Sequence, residues 1–234
     1  MRPLLLLALF GCATASGETV ARDEAPLVVE LFTSQGCSSC PPADALLGKL
    51  AAAGQVAGRP IVALSYHVDY WNDLGWADPF SLAAWSDRQR LYARALKEDR
   101  TYTPELVVGG AAGMVGSQAN LVTRAIKAAP KQQAITAHAA WSADAVTVDA
   151  TAPEGADVWV AIWEDAPLTQ VTRGENSGTR MLGDRVVRKL ERVAIAGHPG
   201  KVAISLPATW KAAGAVAFAQ RGDARIIGSR LLPR

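Results

Sequence analysis

The stretch from Leu27 to Asp44, LVVELFTSQGCSSCPPAD, constrains the fold more than any other part of the chain. Residues 27–33 (LVVELFT) are apolar and β-prone without clean alternation, the texture of a strand buried on both faces. From Pro41 to Ala53, Ala43, Leu46, Leu47 and Leu50 recur at helical spacing. The prolines stand in the first turn, where a missing N–H costs least. Residues 61–67 (IVALSYH) form a second apolar run. Strand, helix and strand make a βαβ unit, which requires a parallel pair.

Cys37 and Cys40 fall at the junction between the first strand and the helix, separated by two residues. Helix N-terminal N–H groups and the macrodipole favour a thiolate there. Cys37 is thus the expected nucleophile, and Cys40, one turn in, is placed to resolve a mixed disulfide. A purely structural bridge is the competing reading. Loop entropy gives it about 2 kcal/mol for so short a loop, against about 4.7 kcal/mol for a hundred-residue one.

Further along, residues 81–98 read as a helix, with Leu82, Trp85, Gln89, Tyr92 and Leu96 on one face. TPELVVGG reads as a strand bounded by Pro and Gly, and Asn120 as the cap of a helix running to Ala129. AAPKQQ (128–133) reads as a boundary. Beyond it, AVTVDA, DVWVAIW, LTQVT, KVAISL, AVAFAQ and ARIIGSRLL are short β-prone runs separated by turn residues. The expectation is two domains: an α/β domain over 24–130 and an all-β sandwich or small barrel over 131–234.

The first residues read as an export signal. Arg2 supplies the charge, Leu4 to Phe10 the apolar core, and Ala13-Thr14-Ala15 a small-x-small cleavage site, with cleavage at 15 or as late as 17. The apolar stretch is well short of the roughly 20 residues of a membrane-spanning helix. A lipoprotein signal cleaved before Cys12, leaving a lipid anchor there, is the alternative. The expected location is therefore secreted or periplasmic. Of three cysteines only Cys37 and Cys40 then remain, in a compartment that permits a disulfide. A formal net charge of +2 without a long Lys/Arg run argues against nucleic acid as the partner.

The order strand, CxxC, helix, strand, helix, Thr-Pro, strand resembles the thioredoxin fold. The resemblance implies that Thr103-Pro104, in YTPELVV, forms a cis-proline turn against the CxxC and helps dock a substrate backbone. It also implies that Glu30 is a buried carboxylate accepting the proton of Cys40. More of the chain resembles one group. VVELFTSQGCSSCPPAD, ALSYHVDYWNDLGWADPFS, YTPELVVGG, RGENSG and RVVRKLERV are similar to segments of the secreted thioredoxin-like family DUF1223. That family implies a fold and an export route but names no substrate. Ser38 and Ser39 stand where thioredoxin centres carry other residues; they face the substrate and tune the potential in a direction the sequence does not give.

The second strand points the same way as the first, so the loop after it lies at the ligand-binding edge of the sheet. His67, Trp71 and Trp76 line that edge as substrate contacts with aromatic walls; packing of the loop onto the body is the plainer reading. His67 with Cys37 and Cys40 would also suit Cu(I), the ligand set of thioredoxin-like copper-delivery proteins. RGENSGTR (173–180) reads as a solvated turn or as a contact with the redox half. The sequence thus points to thiol–disulfide exchange on protein or peptide cysteines. No diffusible cofactor is needed, and a separate redox partner resets the pair. A copper carrier and a non-catalytic binding module are the alternatives.

Overall fold

The computed structural model describes residues 25–165, 167–210 and 213–234. The expected export signal and Cys12 lie outside the described residues. Elements follow in chain order as β1 (Leu27–Thr33), α1 (Pro41–Ala53), β2 (Gln55–Val56), β3 (Arg59–His67), α2 (Ala83–Leu96), β4 (Glu105–Val108), β5 (Ala112–Val115) and α3 (Ala119–Ala128). Then come β6 (Gln133–Ala134), β7 (Ala137–Trp141), β8 (Ala145–Thr151), β9 (Ala156–Glu164), β10 (Leu168–Gln170) and β11 (Arg180–Leu182). The chain closes with β12 (Val186–Ala194), β13 (Pro199–Ser205), β14 (Ala213–Arg221) and β15 (Ile226–Leu232).

The expected βαβ unit forms. β1 and β3 run parallel, with Leu27 opposite Ile61 and Thr33 opposite His67. α1 has the two prolines in its first turn and ends on Gly54, whose left-handed backbone (φ 60°) lets its N–H return to Leu50 O. Alternate residues of β1 then serve two faces. Leu27, Val29 and Leu31 pack beneath α1 and α3, against Leu47, Leu50, Val122 and Ile126. Val28 and Phe32 pack on the other face with Tyr66, Trp85 and Tyr92, the last two from α2.

The expectation of an α/β thioredoxin-like domain followed by a separate β domain is overturned. The described chain is mostly β, 42% strand and 18% helix, and its main element is one mixed ten-stranded sheet. The order is β5-β4-β1-β3-β12-β9-β14-β15-β6, with β2 paired to β3, so strands from before and after residue 130 share a single sheet. β12 is the seam. Val186 pairs in parallel with Ser65, and Ser65 N–H donates to Arg185 O at 2.9 Å. The core beneath α2 crosses the seam too, adding Ala161, Trp163, Val187, Val216 and Phe218 to residues of β1 and β3. A two-domain reading fails because neither half buries that face alone. The sandwich survives only as a local layer. The three-stranded sheet β13-β8-β7 covers Val158, Val160, Ile162, Ala215 and Ala217 of the main sheet. Asn120 does not cap α3; Gln118 stands at that position.

Among the described residues no helix is long and apolar enough to cross a membrane.

Candidate functional site

α1 begins at the C-terminal end of β1, so the connecting turn sits at the sheet's edge. Cys37 N–H donates to Ser34 O at 3.1 Å, and Cys40 caps the helix, its carbonyl accepting from Ala43 N–H and Asp44 N–H at 2.8 and 3.1 Å. Cys37 and Cys40 form a disulfide with their Cα atoms 5.4 Å apart. Ser38 and Ser39 are exposed between them, and Ser39 Oγ lies 3.3 Å from Cys37 Sγ. Both cysteines, by contrast, are 0% exposed.

The Thr103–Pro104 peptide bond is cis. Phe32 pairs with Glu105 across β1 and β4, which sets Pro104 at the level of Thr33, beside the turn that leads to Cys37. Trp71 ties the two together: its Nε1–H donates to Thr103 Oγ1 at 2.8 Å, and a Cβ added to Gly36 would stand 3.3 Å from Trp71 Cβ. Trp76 Nε1–H donates to Gln35 Oε1 at 3.2 Å. The loop after β3 is therefore a brace on the turn.

Asp78 is the hub of that brace. Its Oδ2 accepts from Gln35 N–H and from His67 Nδ1, each at 2.7 Å, and its Oδ1 accepts from Phe80 N–H at 2.9 Å. Burial works against the His67 charge, but Asp78 outweighs it and holds the imidazole above its ordinary pKa. Burial would likewise raise Asp78, and His67 together with the two N–H donors keeps it below the usual carboxylate range. Asp44, one helical turn past Cys40, faces the same pair. Burial pushes it up to about 6, against the pull of His67 and Thr33, while Asp78 and Asp184 push the same way as burial. A cavity of about 20 Å³ lies between Gln35, Asp44, Ser65, His67 and Asp184, the size of one water. Position i+4 from a CxxC cysteine was the available signal for Asp44.

His67 thus lies beside the CxxC turn, but its Nδ1 is held by Asp78. Among the described residues no group of three or more His, Cys, Asp or Glu is arranged to hold a metal ion, and Cys37 and Cys40 are bonded to each other.

Glu30 is not brought to the cysteines. It shares a face of β1 with Val28 and Phe32, opposite to α1. There its Oε1 accepts from Arg88 Nε at 2.7 Å, and Tyr92 OH donates to its Oε2. Arg88 also reaches Tyr92 OH (2.8 Å) and Gln220 Oε1 (3.2 Å), and stacks near the rings of Tyr66, Tyr92 and Phe218. The expected proton acceptor of Cys40 is instead half of a buried ion pair that locks the seam. Parity along a strand buried on both faces decides this, and the sequence does not reveal which parity α1 covers.

The cover over the cysteines comes from the far half. β10 and β11 form a two-stranded arm, Leu168 opposite Leu182, whose tip carries residues 173–178. Ser38 N–H donates to Glu175 Oε2 at 2.9 Å. Asn176 Nδ2 donates to Gln35 O and to Cys37 O, each at 2.9 Å. Gly75 and Gly174 let the brace and the tip meet backbone to backbone: a Cβ on Gly75 would lie 3.2 Å from Gly174 Cα. The RGENSG segment is a contact with the CxxC turn, and Asn176 is a site residue the sequence did not single out.

Fold and site define a class: mixed-sheet proteins in which a CxxC disulfide at a helix N-terminus is sealed by an arm from the same chain. The chain belongs to the DUF1223 family, described as a protein of unknown function, which matches residues 28–220. It is similar to a crystal structure of protein AGR_C_4864 from Agrobacterium tumefaciens, with 33% identity, TM-score 0.71, and 91% of this chain and 96% of that one covered. HBP35 of Porphyromonas gingivalis shares the fold at 11% identity and TM-score 0.61, over 89% of this chain and 74% of that one. No curated protein matches.

Proposed function

We propose that the protein is an exported thiol–disulfide oxidoreductase acting on protein or peptide cysteines. The observation that supports this reading is the oxidised Cys37–Cys40 pair at the start of α1, alongside the cis Thr103–Pro104 turn. In the oxidising direction, a substrate thiolate attacks Cys37 Sγ, and the Cys37–Cys40 bond breaks with Cys40 leaving as thiolate. A second substrate thiolate then attacks the substrate sulfur of the mixed disulfide and releases Cys37. The substrate loses two electrons to the pair, and a separate partner disulfide takes them back. In the reducing direction the same steps run backwards.

Asp44 is the carboxylate on the Cys40 side, so the protons that Cys40 gains and loses would pass there rather than to Glu30. Trp71, Trp76 and His67 act through position: they fix the turn and the Thr103 side of the groove.

One observation favours a second reading, an inert disulfide in a binding module: both cysteines are 0% exposed. Trapping separates the two. Cys40→Ser protein incubated with oxidised substrate proteins should accumulate disulfide-linked adducts through Cys37. Absence of any adduct, with Cys37 alkylating no faster than a free thiol, would leave only the inert reading.

A further inference from the structure

We propose that the tip of the β10–β11 arm occupies the seat of the partner polypeptide. Glu175 and Asn176 satisfy the backbone groups of Gln35, Cys37 and Ser38, and an extended segment of a cysteine-bearing protein takes these over when the tip is displaced. The inference rests on the exchange reading above and names the kind of partner that site accepts.

The tip's bonds have the signature of a stand-in for a peptide. It offers one acceptor, to Ser38 N–H, and a donor shared between two carbonyls. An extended backbone presents the same two functions, C=O and N–H, in alternation. A small thiol presents neither in that arrangement. Among the described residues Thr103 has no backbone hydrogen-bond partner, which leaves it free to pair with such a segment on the other side of the sulfurs.

The arm is also built to leave. Its ladder has three residue pairs, extended by backbone bonds between Val171 and Thr179, Gly178 and Val171, and Gly183 and Pro167, and a two-stranded ribbon of that length is marginally stable in water. Leu168 and Leu182, facing each other across it, are each 54% exposed, and across residues 168–182 Val171 is the one buried apolar side chain that anchors it. Its grip on the turn is local: one bond from Glu175 and two from Asn176. Glu175 has a second effect. Its carboxylate takes the Ser38 N–H in the turn before α1 and sets a negative charge beside Cys37, which opposes a Cys37 thiolate until the tip moves.

Reduction by dithiothreitol, followed by maleimide gel shift, reads the open population when opening is faster than cleavage. Asn176→Ala should speed it about tenfold and Glu175→Ala about fivefold, from the loss of ordinary hydrogen bonds. Rates within twofold of wild type at an unchanged melting midpoint would overturn the proposal. A measurement on the unaltered chain guards against a variant that misfolds. The Ser38 amide should be protected from hydrogen exchange in the oxidised protein, and exchange at the unprotected rate would also overturn it. Partner choice is read separately, by comparing glutathione with an unstructured single-cysteine peptide. The peptide should react faster than glutathione on wild type and keep or widen that lead in Asn176→Ala, where the same backbone groups are uncovered; a peptide no faster than glutathione on either protein refutes the peptide seat. Failure of the exchange reading looks different: Cys40→Ser would trap nothing even where dithiothreitol reduces the opened variants quickly.

Discussion

Replacing Arg88 by Met tests whether the two halves are locked by a buried charge pair. The guanidinium donates to Glu30, Tyr92 and Gln220 and is almost wholly buried, as is Glu30. Arg88→Met fills similar space but strands the Glu30 carboxylate without its counter-charge. Breaking a buried pair from one side costs about 3–5 kcal/mol. For a chain of this size that is a fall in melting midpoint of about 10–15 °C. Glu30→Gln combined with Arg88→Met removes both charges, and Gln220 Nε2 still donates to Tyr92 OH (3.0 Å) and Ala224 O (2.7 Å). The double variant should therefore recover at least about half of the loss, because an uncharged core is cheap once no charge is stranded. Urea unfolding with linear extrapolation measures all three proteins. A single variant within about 1 kcal/mol of wild type, or a double variant no better than the single, would refute the reasoning.

Glu105 sits next to Pro104 against Glu98, and burial, assisted by Glu98 and opposed by Gln89, pushes it up to about 8. A raised carboxyl contributes stability that is fully present below its ordinary value near 4.5 and lost as pH rises through about 8. Glu105→Gln imitates the protonated form. It should match wild type at pH 4 and exceed it by about 2 kcal/mol or more at pH 9, judged by urea midpoints; equal slopes with pH would rule this out. Asp44→Asn should act in a lower window, removing the stability wild type loses as pH rises from about 4 through about 6. An unfolding profile that keeps its full drop between pH 4 and 6.5 in the Asn variant would count against it. Gly110→Ala places a Cβ 2.1 Å from Ala224 O at a left-handed position (φ 67°), where β4–β5 meets the β14–β15 turn. It should cost about 2 kcal/mol or more, and a neutral thermal melt would show that the seam yields there.

The local elements were legible because local rules dictate them. β1 and α1 match their expected bounds, since proline placement and apolar spacing act within a few residues. The pairing of strands was not. VVRKLERVA carries four charges, and its pairing with β9 shifts register between Val187 and Lys189 and again between Arg192 and Ala194. That breaks the two-residue period a strand is read by. Without β12 as a strand, nothing joins the halves, and two domains is the natural inference. The site divides the same way. Cys37, Cys40 and Pro104 follow from local motif chemistry, whereas Glu175 and Asn176 reach the turn from more than a hundred residues away. Arg88 stands on a helix whose apolar face was evident, but nothing marks it as the partner of Glu30.

The distance in sequence between the cysteines and their cover fixes an order of events during synthesis. Ser38 and Glu175, bonded in the finished fold, are separated by 137 positions. While the intervening chain is still being made, the CxxC turn has no cover and the free edge of β3 has no β12 beside it. An oxidising enzyme can therefore meet the two thiols on an open nascent chain, before the arm exists. The same order leaves the edge of β3 bare until β12 follows, so a chain cut short before residue 186 would present an unpaired strand edge with its sulfurs uncovered.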